Sequence, residues 1–227
     1  MYLPSSEGGS FEFYMQSNHN LPIIANDKFK PLYDFWISCK LNKVKLCEEL
    51  YKSVGMIEKD DFIKMRAQIM NEPDNFNASI MFFIINRCSF SGATLSGGFS
   101  LDASKTRFTR SCVDRVLQLD FTDVELYNID YEEFIIEHSN REGEFLFLDP
   151  PYYLKNKSKL YGNNGDMHEH FDHNKLHACL SKTKGWLLTY NNCPFITDLY
   201  KDYKIIETSW SYGMNKSKIS SEIVIIG

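Results

Sequence analysis

The sequence predicts an α/β fold: a mostly parallel sheet closed by a C-terminal antiparallel hairpin, with an inserted, mainly helical lobe. Three observations predict it. Residues 144–148 (EFLFL) form a short apolar run that alternates too little for a half-exposed strand, the pattern of a strand buried on both faces at the centre of a parallel sheet. Strand-length apolar runs recur at 21–25, 124–129 and 185–190. Two more, at 203–210 and 222–226, are separated by Tyr212-Gly213 and a Lys-Ser stretch, which fits an antiparallel hairpin closing the sheet.

The central strand must stop at Asp149. Pro150 and Pro151 donate no ladder hydrogen bond, and each pushes the residue before it into an extended conformation, so Asp149-Pro150-Pro151-Tyr152 is a stiff loop. Open α/β sheets bind ligands at the carboxyl ends of their strands. Such a loop holds a carboxylate, a carbonyl and an aromatic face in fixed relation, an arrangement suited to a flat molecule bearing an amino group.

The other elements follow in order. Residues 1–10 (MYLPSSEGGS) are turn-rich at 4–9, and Ser10 to Met15 can start a helix, so a glycine turn precedes a helix where backbone can approach a ligand closely. The strand at 21–25 ends at Asn26-Asp27 and is followed by a helix over 29–36. Asp27 stands where a carboxylate accepts hydrogen bonds from ribose hydroxyls, or where it caps the next helix. Residues 46–70 carry apolar positions at helical spacing up to a break at Pro73, and 78–86 form a second, apolar helix. Residues 87–110 are dense in Ser, Gly, Thr and Arg, with Phe90, Phe99 and Phe108 interleaved, and read as a long irregular segment suited to threading along a nucleic-acid backbone. Residues 40–113 are taken as the inserted recognition lobe, and 1–39 with 114–227 as the catalytic domain. The strand at 124–129 delivers Asp130-Tyr131 to the sheet edge, residues 156–172 form a polar loop, and 172–180 a helix.

These motifs resemble the Dam-type DNA adenine methyltransferases. The hallmark tetrapeptide is Asp149 to Tyr152, and NDKFKPLYDFW (26–36), NRCSFSGATLSGGFS (86–100), LYGNNGDMHEHFDH (160–173) and WLLTYNNCP (186–194) resemble that family in order and spacing. The resemblance implies a Rossmann-like methyltransferase sheet, S-adenosylmethionine as methyl donor, and double-stranded DNA as partner. It implies transfer to the exocyclic amino nitrogen of an adenine flipped from the duplex, with Asp149, Pro150 and Tyr152 catalytic. It places Pro4, Gly8, Gly9, Ser10, Asp27, Asp130, Tyr131 and Asp149 at the cofactor. Glu7 stands where the family has a glycine, and the family's upstream strand and Pro-Gly-Gly-Lys helix precede the first residue here. The alternative is therefore a truncated or split, cofactor-poor relative that binds nucleic acid with a complementing chain. A partner restriction enzyme is compatible with either reading.

With 227 residues and 43% hydrophobic content the chain can build one substantial core. No segment has the apolar length of a membrane span or the pattern of a signal peptide, so the expected place is the cytoplasm, or the host cell interior for a viral protein. Six scattered cysteines without a CxxC pair predict buried thiols rather than disulfides or zinc. The formal net charge of −5 supplies no global attraction to nucleic acid, so DNA contacts must be local. Arg87, Lys105, Arg107, Arg110 and, after the proline loop, Lys157 are the candidates. His168, His170, Asp172 and His173 have the spacing of a two-metal hydrolase, yet only His177 follows as a further imidazole. Helix capping by Asp172 is preferred, and no metal is expected.

Overall fold

The computed structural model describes residues 10–153, 171–211 and 219–227. They divide into two compact units, residues 10–128 and the remainder from 129 onward.

The first unit begins with α1 (Ser10–His19), β1 (Ile23–Asn26) and α2 (Lys30–Ser53), the last with Pro31 in its first turn, where a missing N–H costs nothing. The expected boundary between residues 39 and 40 falls inside α2, close to a kink at Asn42 (φ −136°). The helical run expected over 46–70 is two helices. Gly55, at φ +77°, turns the chain between α2 and α3 (Lys59–Gln68), whose start is closed by a capping box of Glu58 and Asp61. Asp74 caps α4 (Asn75–Cys88) by accepting from the Phe76 and Asn77 amides. Helix α4 packs on α2 through stacked Phe35 and Phe83 rings (5.4 Å between centroids) and a buried Ser38–Ser79 hydroxyl pair at 2.8 Å.

The segment expected to be irregular over 87–110 is more ordered than its composition suggests. It holds α5 (Leu101–Thr106), capped by Ser100, and the start of α6 (Arg110–Gln118), capped by Thr109. Strand β2 (Val124–Tyr127) then pairs in parallel with β1, Ile23 opposite Val124.

The second unit contains α7 (Tyr131–His138), β3 (Leu146–Leu148), α8 (His173–Leu180), β4 (Trp186–Asn191), α9 (Pro194–Leu199), β5 (Lys204–Ser211) and β6 (Ile219–Ile226). Its sheet runs β3-β4-β6-β5, with β3 parallel to β4 and both pairings of β6 antiparallel. The hairpin of β5 and β6 is as expected. A mostly parallel sheet is present only in part: among the described strands β1-β2 and β3-β4 pair in parallel, the two pairings of β6 are antiparallel, and β3 stands at the end of the order β3-β4-β6-β5. Nor is the run over 144–148 buried on both faces: Leu146 and Leu148 are buried, Phe147 is half-buried and Phe145, just before β3, is 58% exposed, so the run holds one covered face and large apolar side chains on the other.

The core of this unit is Trp186, Leu188 and Tyr190 of β4 against Ile223 and Ile225 of β6, Leu176 and Leu180 of α8, and Tyr200, all essentially inaccessible. The Trp186 Nε1–H donates to the Leu180 and Thr183 carbonyls, both at 3.1 Å, so the indole is buried with its one donor satisfied. All six cysteines are free thiols, and five are buried.

Burial raises the phenols of Tyr190 and Tyr200 well above their ordinary value of 10.0. Above pH 10 the unfolded chain therefore loses protons that the native state keeps, and stability falls as pH rises. Below that pH their contribution is complete. Burial also raises the thiols of Cys39 and Cys88 above their ordinary value of 9.0, so urea midpoints are expected to begin to fall near pH 9 and to fall further beyond about 10; a midpoint unchanged well above about pH 10 contradicts this assignment.

Candidate active site

The recorded ladder between β3 and β4 ends at Leu148 opposite Leu188, as two consecutive prolines require. Beyond it the loop is held by side chains of β4. The Thr189 hydroxyl donates to Asp149 Oδ1 at 2.7 Å, and Asn191 Nδ2 donates to the Tyr153 carbonyl at 2.9 Å. Pro150 is buried, while Asp149, Tyr152 and Tyr153 are half-buried.

An aromatic wall supports the loop. Tyr153 stacks on Phe195, with 4.4 Å between centroids and 25° between planes, and the Tyr152 ring lies 6.3 Å from that of Tyr190. The Tyr190 hydroxyl is 2.7 Å from His173 Nδ1, and that imidazole meets Tyr153 edge-on. His173, one of the histidines with metal-site spacing, is thus a buried member of the wall. Asp172 caps α8 by accepting from the Lys175 amide at 2.9 Å, as preferred, while His168 and His170 lie outside the described residues.

Thr189, Asn191, Tyr190 and Phe195 were not singled out in the sequence. The signal was present in the alternation of β4, where Trp186, Leu188 and Tyr190 are buried and Leu187, Thr189 and Asn191 half-buried, leaving two polar residues at the strand's carboxyl end.

Of the expected cofactor residues, Asp130 caps α7 by accepting from the Glu132 amide at 3.1 Å, and Tyr131 is buried with its ring 5.3 Å from Phe171. In the other unit Asp27 is buried at the end of β1, with Oδ1 accepting the Phe29 amide at 2.7 Å and its carbonyl accepting Asn128 Nδ2 at 2.6 Å. Phe29, not Asp27, occupies the N-cap of α2, so the carboxylate forms an Asx turn leading into the helix. Pro4, Gly8 and Gly9 lie outside the described residues, and Ser10 is the first residue of α1.

A family model described as D12 class N6 adenine-specific DNA methyltransferase matches residues 8–214. The chain belongs to that family. No curated protein matches the sequence. The family's reaction is methylation of adenine in DNA, with S-adenosylmethionine as the methyl donor. A buried carboxylate, Asp27, oriented by the Phe29 backbone amide, stands at the end of β1, which pairs in parallel with β2.

The basic residues of the methyltransferase fall into two groups. Arg87 lies over Phe83 at 5.4 Å, and Arg107 Nη1 donates to the Ser89 carbonyl at 3.3 Å, so both brace their own unit. Lys105 and Arg110 are exposed, Arg110 with its guanidinium 5.6 Å from the centre of the Tyr51 ring, and Lys157 lies outside the described residues. The segment that Arg107 braces is tightly tied: Phe90 N–H donates to Gly98 O at 2.9 Å, Arg66 to Gly97 O at 2.8 Å, and Ser91, Gly92 and Thr94 take positive φ. On it Phe90 is 69% exposed, whereas Phe108 is buried. Among the described residues no helix is long and apolar enough to cross a membrane.

Proposed function

We propose that the chain transfers the methyl group of S-adenosylmethionine to the exocyclic amino nitrogen of an adenine flipped from duplex DNA, with Asp149, Pro150 and Tyr152 at the reacting centre. The observation that carries this reading is the half-buried Asp149 carboxylate, locked at the end of β3 beside a proline-stiffened carbonyl. The adenine amino group is a weak nucleophile because its lone pair is delocalised into the ring. Asp149 and the Pro150 carbonyl accept its two hydrogens and favour a pyramidal nitrogen whose lone pair is free to attack. When bound, the cofactor would supply an electrophilic methyl group on a sulfonium and leave as the neutral thioether, and the methylated nitrogen then gives up one of its protons to solvent. Tyr152 stacks on the base, which must leave the duplex because its amino group is otherwise paired. Enzymatic digestion of the product DNA and mass spectrometry of its nucleosides test the reading: N6-methyladenine supports it, and methylation elsewhere or nowhere rejects it.

Asp27 accepts from the cofactor ribose in this account, and Asp130 and Tyr131 serve its adenine. Asp27→Ala is expected to weaken S-adenosylmethionine binding about tenfold by calorimetry, the size of one lost hydrogen bond to a charged group. An unchanged dissociation constant would return Asp27 to its turn alone.

Residues 40–113 act as the recognition lobe, with Lys105 and Arg110 on phosphates and Phe90 offered for stacking. Arg110→Ala should weaken binding to all sequences alike and lower the salt dependence by about one charge. Arg107→Ala removes the brace on Ser89 as well, so it is expected to lower thermal stability more than Arg110→Ala, which removes only an exposed contact with the Tyr51 ring at 5.6 Å. Relaxed sequence preference in Arg110→Ala would instead make it a reader of bases.

A further inference from the structure

The proline loop poses a problem that β4 solves. A strand that runs on beside its parallel neighbour is held by backbone amides, and Pro150 and Pro151 have none to give. Thr189 and Asn191 stand two residues apart on β4 and so project from the same face of the strand. Each reaches one end of the loop: Thr189 Oγ1 donates to Asp149 Oδ1 at 2.7 Å, and Asn191 Nδ2 donates to Tyr153 O at 2.9 Å. The Thr189 hydroxyl also lies 3.4 Å from Leu148 O, the last ladder residue of β3.

We infer that Thr189 is a positioning residue for methyl transfer, with Asn191 as the second point of a side-chain clamp that replaces the missing ladder; the inference rests on the catalytic role proposed for Asp149. A carboxylate turns about two side-chain torsions, and a catalytic acceptor must present a lone pair in one direction. By taking Oδ1, the Thr189 hydroxyl fixes the carboxylate plane and the direction in which Oδ2 faces. The contact is made by a β-branched side chain, whose restricted χ1 limits the positions open to the donor. Asn191 acts at the far end, keeping Tyr153, and with it Tyr152, in register with the carboxylate. Thr189 touches no substrate in this scheme. Its effect passes entirely through Asp149.

Thr189→Val keeps shape and removes the donor, while Thr189→Ser keeps the donor. In full-length protein, Thr189→Val is expected to slow single-turnover methyl transfer about 10- to 100-fold, the scale of a slightly misplaced catalytic group. Dissociation constants for S-adenosylmethionine and duplex DNA, and the melting temperature, stay close to wild type. Thr189→Ser restores most of the rate. A packing role predicts the reverse, with Thr189→Ser losing stability and Thr189→Val behaving as wild type. A second readout needs no turnover: the side-chain carboxyl ¹³C resonance of Asp149 should move in Thr189→Val and not in Thr189→Ser. A wild type inactive on DNA would remove the catalytic reading while this resonance still decides the contact. An Asp149 resonance unchanged in Thr189→Val, or an unchanged transfer rate in an active enzyme, overturns the inference.

Discussion

Asp149→Asn is expected to slow methyl transfer roughly 100-fold or more, while the dissociation constants for cofactor and DNA change little. The substitution keeps size and one acceptor oxygen, removes the charge, and can turn an amide N–H toward the adenine amino group. The neighbouring hydroxyl gives the effect a structural basis. Thr189 Oγ1 donates to Oδ1 at 2.7 Å, and an amide that keeps this bond puts its oxygen toward Thr189 and its nitrogen toward the substrate. The orientation that satisfies the protein is thus the one that opposes the reaction. The loss appears in the chemical step because the contact strengthens as the nitrogen pyramidalises. Single-turnover rates measured beside equilibrium binding separate the two.

Tyr152→Ala is the second large expectation, a loss of about 1–3 kcal/mol in engagement of the extrahelical base, the usual worth of one aromatic–base stack. Its ring is half-buried and lies against Tyr190, which is itself buried and held at 2.7 Å by His173. The platform is therefore rigid on its protein side. Fluorescence of 2-aminopurine at the target position reports flipping directly: wild type should brighten it and Tyr152→Ala much less. Equal brightening would place the stacking elsewhere. Tyr152→Phe keeps the ring and is expected to behave as wild type.

The features legible in the sequence are those set by local chemistry. Two prolines end β3 and stiffen Asp149 to Tyr152 whatever lies around them, and Asp172 caps α8 through its own next turn. The hairpin of β5 and β6 was legible from strand pattern and separation. Pairing was not, because the order β3-β4-β6-β5 depends on contacts between residues far apart in the chain. The same holds for the site. Thr189 and Asn191 acquire their partners only through the register that sets Leu148 beside Leu188, which the alternation of β4 does not by itself reveal. Helix α5 was hidden by Ser, Gly and Thr, yet Ser100 caps it and Phe108 anchors the segment that follows. Of the basic residues, composition could not separate Arg107, spent partly on Ser89 O, from exposed Arg110.

The central claim is that the carboxylate at the end of β3 accepts a hydrogen from the adenine amino group as the methyl is transferred. It is tested most directly by following a labelled methyl group from S-adenosylmethionine into adenine-containing duplexes in a single turnover, with wild type and Asp149→Asn both shown to be folded and saturated with cofactor. The account predicts rapid incorporation at adenine N6 by wild type and a rate lower by about two orders of magnitude or more in the variant. Equal rates for the two proteins would contradict it.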